Sequence, residues 1–225
     1  MYSLDFEEYL WAKGYKENQI EELYKHMLEV IPLSQVEYNV MLENFREYMV
    51  LGGMPAIVFT FIKQKNYSGT LKLQQQILLD YEEDITKYAG GLDKTKILNV
   101  YRKIPAFLGK DNKKFQISSV AKGAIYENMI ADMLVKQGYQ LYFYKNEKGT
   151  LEMDFFVRDK NSLIPIEVKA VDGSTPSLNN LITKEKYADI QYGIKFANKN
   201  IGFNGKFYTF PYFMAFLLKR FLREK

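Results

Sequence analysis

The sequence predicts an α+β protein in which an all-helical region, residues 1–120, precedes a mixed α/β region, residues 121–225. Apolar residues recur at helical spacing in the first region, whereas short apolar runs bounded by turn residues follow one another in the second. A helical segment between the third and fourth predicted strands favours a crossover and therefore a mixed, partly parallel sheet. With 225 residues, of which 47% are hydrophobic, the chain can bury one good core or two small ones.

Capping residues and helix breakers define the elements of the first region. Asp5 and Ser34 each precede a glutamate by three positions, which is the spacing of a capping box. Gly52 is typical of a helix C-terminus, and long helices are predicted over 70–89 and 94–108. The apolar stripe of the first long helix is typical of a surface that faces the core; it consists of Leu71, Ile77, Leu78, Tyr81 and Ile85.

The second region begins with a helix over 125–137, ended by Gly138, and continues as strands. A helix near 178–188 separates the third and fourth strands, and a final amphipathic helix covers 212–223. The predicted strands are 140–144, 151–157, 163–171, 192–196 and 207–210.

Composition narrows the class of protein. The absence of cysteine excludes a disulfide framework and a thiolate zinc site, and agrees with a cytoplasmic location. Acidic residues in the first apolar run argue against a signal peptide, and the most apolar stretch, 208–222, is interrupted by Pro211 and is too short to span a bilayer. We therefore expect no membrane association.

Charge divides unevenly between the two regions. Residues 1–90 carry 8 Lys and Arg against 14 Asp and Glu, while residues 91–225 carry 23 against 13. A basic region suits a phosphate-bearing partner such as nucleic acid, because binding releases counterions. Lysine-rich surfaces are also common where they serve only solubility, so both interpretations stay open.

Asp154, Glu167 and Lys169 are the candidate catalytic residues. Glu167 and Lys169 lie two positions apart in an apolar strand and therefore share a face, while Val168 points the other way. Asp154 lies in the preceding strand, which a polar turn joins to this one. Charges among apolar neighbours are costly unless they are paired or bind an ion. The pattern favours an acidic metal site over the alternative, an exposed ion pair.

Glu127, near the start of the predicted helix 125–137, is a further candidate metal ligand. It could hold an ion directly or through water. A carboxylate in the first turn of a helix is also stabilised by the helix dipole, so a purely structural role fits the sequence equally well.

Three segments, 126–128, 151–156 and 164–169, resemble the C-terminal domain of a large family of prokaryotic ATPases. Members of that family combine an AAA-type ATPase module, a helical region with a winged-helix element, and a restriction-endonuclease-like domain of the PD-(D/E)XK type. Further similarity to the segments between the ATPase core and this domain lies at 4–10, 48–55 and 80–85.

The resemblance implies a restriction-endonuclease-like fold for residues 121–225, with post-ATPase helices and part of a winged helix in residues 1–120. It implies that Asp154, Glu167 and the Val168 carbonyl bind Mg²⁺ or Mn²⁺, with Glu127 completing the shell or holding a second ion. Lys169 would orient or deprotonate the attacking water, or offset charge, during hydrolysis of a nucleic-acid phosphodiester.

Two departures from the family pattern matter. The sequence contains no Gly-x-x-x-x-Gly-Lys-Ser/Thr loop, so we expect neither ATP binding nor ATP hydrolysis. The stretch that completes the winged helix is also shorter than in the family. The alternative to a metal-dependent nuclease is therefore a non-catalytic remnant that binds nucleic acid or a protein. A third hypothesis is a decayed reading frame, and the sequence sets no oligomeric state.

Overall fold

The structure is a computed structural model that describes residues 3–89, 93–108, 120–145, 151–160, 162–170 and 173–225. Its helices are α1 (Phe6–Ala12), α2 (Glu17–Glu29), α3 (Gln35–Leu51), α4 (Pro55–Gln64), α5 (Thr70–Tyr88), α6 (Lys94–Leu108), α7 (Val120–Lys136), α8 (Pro176–Thr183) and α9 (Leu218–Glu224). Its strands are β1 (Tyr142–Lys145), β2 (Glu152–Asp159), β3 (Ser162–Lys169), β4 (Gly193–Ala197), β5 (Gly202–Phe203) and β6 (Phe207–Pro211). Short 3₁₀ helices cover Glu185–Tyr187 and Tyr212–Leu217.

The predicted fold class is confirmed, since a helical region is followed by a mixed sheet. The described strands form one six-stranded sheet in the order β1-β2-β3-β4-β6-β5. β1, β2 and β3 are antiparallel neighbours, β3, β4 and β6 run parallel, and β5 is antiparallel to β6. The sequence did not predict β5, because a strand of two residues is too short to show an alternation of apolar and polar residues.

Local sequence signals account for most of the helix boundaries. The Asp5 side chain accepts a hydrogen bond from the Glu8 N–H at 2.8 Å and the Glu8 side chain accepts from the Asp5 N–H at 2.9 Å, so the predicted capping box is present. A second box at Ser34 starts α3, and Gly52, with φ 67°, ends it. The six residues after Pro211, Tyr212–Leu217, form a 3₁₀ helix, and the α-helical part of the final segment starts only at Leu218.

One apolar cluster joins the two regions of the chain. Phe6 of α1 packs against Phe45 of α3 and against Phe216, with ring centroids 5.4 Å and 5.6 Å apart. Tyr38 meets Phe213 at 5.6 Å in the same cluster. The C-terminal aromatic residues therefore complete the core of the N-terminal helices. Whether residues 1–120 and 121–225 fold as separate domains stays a prediction.

The apolar stripe of α5 is the main correction to the predicted core. The helix forms as expected, but Leu71, Leu78 and Tyr81 are 62%, 55% and 50% exposed. Among the described elements, α5 packs mainly on its neighbours α4 and α6, so its outer face has no cover. Amphipathic spacing predicts an apolar face without specifying whether the same chain covers it.

The two faces of β3 are covered by different helices, which positions the candidate site. Ile164, Ile166 and Val168 belong to the main cluster, together with the buried residues of α7. Leu163 faces a second cluster that contains Leu178 and Leu181 of α8. Since side chains alternate along a strand, Glu167 and Lys169 lie on the α8 face.

None of the helices in the described ranges is sufficiently long and apolar to cross a membrane.

Candidate functional site

Asp154 lies at an irregularity in β2. Tyr142 of β1 pairs with Phe156, but Tyr144 pairs with Met153, so two steps on β1 match three on β2. This extra residue is the signature of a β-bulge, which bends a strand and re-aims a side chain. Met153 and Phe156 consequently pack in the same cluster, and Asp154 departs from regular alternation.

The Asp154 carboxylate turns toward β3. The regular β2–β3 pairing stops at Phe155 and Ile166, and the Val168 N–H donates instead to Asp154 Oδ2 at 2.7 Å. Burial raises the pKa of Asp154 to about 6, although the Val168 hydrogen bond opposes this shift. The Glu167 charge adds to the increase. Without a bound cation, Asp154 is therefore protonated at a higher pH than an ordinary aspartate.

Glu167 is buried at the end of β3, with only 4% of its surface exposed. Its Oε1 accepts from Lys169 Nζ at 2.6 Å, while its Oε2 has no hydrogen-bond partner among the described residues. A buried carboxylate oxygen without a donor is costly, and in a native structure it indicates an unseen water, an ion or a functional role.

Lys169 is only partly buried, since 35% of its side chain reaches solvent, compared with 5% of the Glu167 side chain. Burial lowers its pKa, but the hydrogen bond to Glu167 and the charges of Glu167, Asp154 and Glu127 outweigh that effect and raise the pKa overall. Lys169 is therefore positively charged at neutral pH. Its carbonyl accepts a hydrogen bond from the Tyr212 hydroxyl, which fixes the backbone at this edge.

Glu127 lies on α7, which packs on the face of the sheet opposite to the one that carries Glu167. The adjacent Tyr126 stacks on Tyr212 with ring centroids 4.2 Å apart, which brings this part of α7 to the end of β3. The charge of Glu127 reaches Lys169, but the structure does not place the three carboxylates as one group. Within the described ranges, no group of three or more His, Cys, Asp or Glu side chains is arranged to hold a metal ion.

The structure thus brings Asp154, Glu167 and Lys169 together, whereas Glu127 lies on α7, outside this group. Val168 contributes a buried side chain to the main core and an N–H to Asp154. The assignment of its carbonyl as a metal ligand stays a prediction, as do the metal and catalytic roles of the others.

Lys195 is a residue of this site that the sequence reasoning missed. It lies in β4 in direct register with Glu167, is only 4% exposed, and donates from Nζ to the Gly173 carbonyl at 2.9 Å. The available signal was a lysine inside an otherwise apolar predicted strand, 192–196. Nothing in that short segment indicated which strand would lie beside it.

Two family models match parts of this chain. Residues 122–213 are similar to a domain of unknown function, DUF4143, and residues 42–134 to another, DUF8612. The first match runs from α7 past β6 and includes Glu127, Asp154, Glu167 and Lys169. No curated protein and no solved structure matches the chain. Both matching domains are described as having unknown function.

Proposed function

We propose that this chain carries a metal-dependent phosphodiester hydrolase site, of the restriction-endonuclease-like PD-(D/E)XK type, that acts on nucleic acid. The observation that carries the proposal is the buried Oε2 of Glu167, which finds no hydrogen-bond partner in the described part of the chain and lies beside Asp154 and Lys169. An exposed Glu–Lys pair, the plain alternative, does not explain a carboxylate that is 4% exposed.

The residues fit a divalent cation. Mg²⁺ prefers oxygen ligands and usually keeps several waters, so one or two carboxylates are enough to bind it. Asp154 and Glu167 supply two. A cation beside them would offset the cost of ionising Asp154, whose pKa is raised, and would contact the Glu167 oxygen that has no hydrogen-bond partner among the described residues. Glu127, on α7, would contact the ion through a water molecule.

The chemistry assigned to the chain follows from the positions of its side chains. A bound ion would act as a Lewis acid at the scissile phosphate. Lys169, partly exposed and hydrogen-bonded to Glu167, would turn from that carboxylate to orient the attacking water or to offset the charge that develops on the phosphate. The Tyr212 hydroxyl would keep the Lys169 backbone in place during this movement.

Nucleic acid is the proposed substrate because the region that contains the site is basic. Residues 91–225 carry 23 Lys and Arg against 13 Asp and Glu, a balance that favours a polyanionic partner. The resemblance of 151–156 and 164–169 to nuclease-like domains supports the same substrate class.

Cleavage assays with single-stranded and duplex DNA and RNA test this proposal. We expect cleavage with Mg²⁺ or Mn²⁺ and none with EDTA. Lys169→Met should reduce turnover at least 100-fold, about 3 kcal/mol, yet retain Mn²⁺ binding in calorimetry, because lysine is not a cation ligand. Asp154→Ala should remove both turnover and Mn²⁺ binding.

Glu185→Gln is the matched control, since Glu185 is an exposed carboxylate on a 3₁₀ helix outside the site. It should behave as wild type. Metal-independent, equal behaviour of wild type and all variants on every substrate would reject the hydrolase.

The exposed apolar face of α5 favours a second candidate, a non-catalytic module that binds a protein or nucleic acid. Leu71, Leu78 and Tyr81 line a groove of about 420 Å³ with Met54 and Ile57, on a part of the chain that carries none of the candidate site residues. This alternative predicts binding without metal-dependent cleavage, and salt-sensitive binding if the partner is nucleic acid.

A further inference from the structure

Tyr212 lies where the carboxyl ends of the parallel strands meet the helices. It directly follows Pro211, the last residue of β6, and only 1% of its surface is exposed. Pro211 is in register with Ala197, and Ala197 with Lys169, so β6, β4 and β3 end at one level. The crevice outside the carboxyl ends of such strands is a common place for a ligand site.

The hydroxyl of Tyr212 joins the ends of two strands. It donates to the Lys169 carbonyl at the end of β3 and accepts from the N–H of Asn198, the residue after β4. Burial raises the pKa of Tyr212, although the Asn198 hydrogen bond opposes the rise. The hydroxyl therefore keeps its proton, and with it the bond to the Lys169 carbonyl, at neutral pH.

The ring of Tyr212 contacts two helices. It stacks on Tyr126 of α7, with centroids 4.2 Å and planes 14° apart, and on Phe45 of α3, with centroids 6.3 Å and planes 17° apart. Stacked aromatic pairs stabilise beyond the area that they bury. Because Tyr126 immediately precedes Glu127, this contact also fixes the part of α7 that carries Glu127.

A second contact connects α3 with the same hydroxyl. The Tyr38 hydroxyl, on α3, donates to Asn198 Oδ1 at 2.9 Å, and the Asn198 backbone is bonded to Tyr212. Tyr212 is thus reached from α3 both through Phe45 and through Asn198. The N-terminal helical region therefore contacts the residue that holds the Lys169 backbone.

We propose that Tyr212 is a positioning residue of the site, whose hydroxyl holds the Lys169 backbone and whose ring holds the Glu127 segment of α7 in place beside α3. Its effect on turnover rests on the proposed hydrolase function. The contact of the hydroxyl with Lys169 is a property of the folded chain and is tested without metal or substrate.

Nuclear magnetic resonance of the Lys169 carbonyl tests this contact in the metal-free protein. The dipeptide Lys-Ala occurs once in the sequence, at Lys169–Ala170, so carbonyl-carbon-13 lysine combined with nitrogen-15 alanine gives a single carbonyl–amide cross-peak. Tyr212→Phe keeps the ring and removes the hydroxyl, and we expect it to move this peak. Tyr208→Phe, at another buried tyrosine of the same apolar cluster, should leave the peak in place. An unmoved peak in Tyr212→Phe would overturn the proposal.

Cleavage kinetics and metal binding test the two parts of Tyr212 separately. With wild type active, Tyr212→Phe should lower kcat about fivefold, the usual effect of one lost hydrogen bond, and should leave KM nearly unchanged because the residue is buried. Tyr126→Leu should weaken Mn²⁺ binding in calorimetry about threefold, since it removes the stack beside Glu127. Tyr126→Phe keeps a ring and should restore that binding. Wild-type Mn²⁺ affinity in Tyr126→Leu would overturn the role of the ring.

Phe45→Leu tests whether α3 acts through Tyr212. It should lower kcat in the wild-type background and change it little in the Tyr212→Phe background, where the hydroxyl is already absent. Equal losses in both backgrounds would overturn the connection with α3. Tyr38→Phe removes the bond to Asn198 and gives the same comparison if Phe45→Leu does not fold.

The failure of this inference is distinguishable from the failure of the function on which it rests. An inactive wild type would overturn the hydrolase, and the effect of Tyr212 on turnover with it, while a moved peak would still support the contact with the Lys169 carbonyl. A moved peak together with a normal kcat in Tyr212→Phe would overturn the positioning role alone.

Discussion

Asp154 is the residue at which local geometry and electrostatics combine most directly. The bulge in β2 turns its carboxylate toward the Val168 N–H, and burial raises its pKa from 3.8 to about 6. A carboxylate in this state costs stability when it is ionised without a cation. Such a cost agrees with the proposed role of Asp154 in binding a cation.

The raised pKa of Asp154 predicts a specific pH dependence of stability. A group whose pKa is higher in the folded state stabilises the fold below its unfolded pKa, and this contribution is lost as the pH rises through the folded value. From pH 4 to 7, Asp154 should lower the free energy of unfolding by roughly 2 kcal/mol, given its pKa shift from 3.8 to about 6.

Urea unfolding in EDTA at several pH values measures this effect as the difference between wild type and Asp154→Asn. The asparagine keeps a hydrogen-bond acceptor for Val168 but does not ionise, so the variant should be favoured increasingly between pH 4 and 7. Asp189→Asn, at an exposed aspartate, is the matched control. A pH dependence that is no larger for Asp154→Asn than for Asp189→Asn would contradict the shift.

At the scale of elements, the turn between α3 and α4 shows how a short motif anchors the start of the chain. Gly52 adopts φ 67°, which favours glycine, and Gly53 approaches the Leu4 backbone. The Leu4 N–H donates to the Gly53 carbonyl at 2.7 Å, and the Leu4 carbonyl accepts from the Tyr48 hydroxyl at 2.8 Å. The segment that precedes α1 is therefore held against the end of α3 and the turn that follows it.

Gly53→Ala should disrupt this attachment. A Cβ at Gly53 would lie 2.1 Å from the Leu4 carbonyl oxygen, a backbone atom that is held by its own hydrogen bond and has little room to yield. We expect a loss of about 1–3 kcal/mol in the free energy of unfolding, typical of overpacking. Gly202→Ala is the control, because a Cβ there meets nothing within 4 Å. Equal stability of the two variants would show that Leu4 moves freely.

At the scale of the whole molecule, the shared apolar cluster couples the helical region to the sheet. Phe213, which is fully buried, lies in the second region yet packs on Tyr38 of α3. The Asn200 side chain accepts from the Leu33 N–H at 3.0 Å and donates to the Leu33 carbonyl at 2.7 Å, which adds a polar contact between the same regions. We expect the regions to lose structure together.

Phe213→Ala tests this coupling. It should lower the free energy of unfolding by about 3–5 kcal/mol, the usual cost of removing a buried phenylalanine. The fluorescence of Trp11, the single tryptophan, reports on α1, while far-UV circular dichroism reports on the whole chain. Both midpoints should shift equally. A Trp11 transition that keeps its wild-type midpoint would indicate that residues 1–120 unfold independently.

The spacing of apolar residues and the positions of capping and turn residues determined the helices and strands of this protein. Helical spacing located α5 and α6 closely, capping boxes located the starts of α1 and α3, and β-hairpin signals placed Asp154 and Glu167 on adjacent strands. Side-chain alternation also placed Glu167 and Lys169 on one face, and their ion pair follows from that local relation. Such features depend on residues only a few positions apart.

Only the tertiary structure decided which distant residues meet. The bulge that re-aims Asp154 arises from pairing with β1, the register of Lys195 with Glu167 arises from the crossover to β4, and the exposed face of α5 arises because no described element covers it. Burial of Glu167 to 4% exposure likewise depends on the layers packed around β3. These properties depend on contacts between elements far apart in the chain, whereas sequence periodicity describes one element at a time.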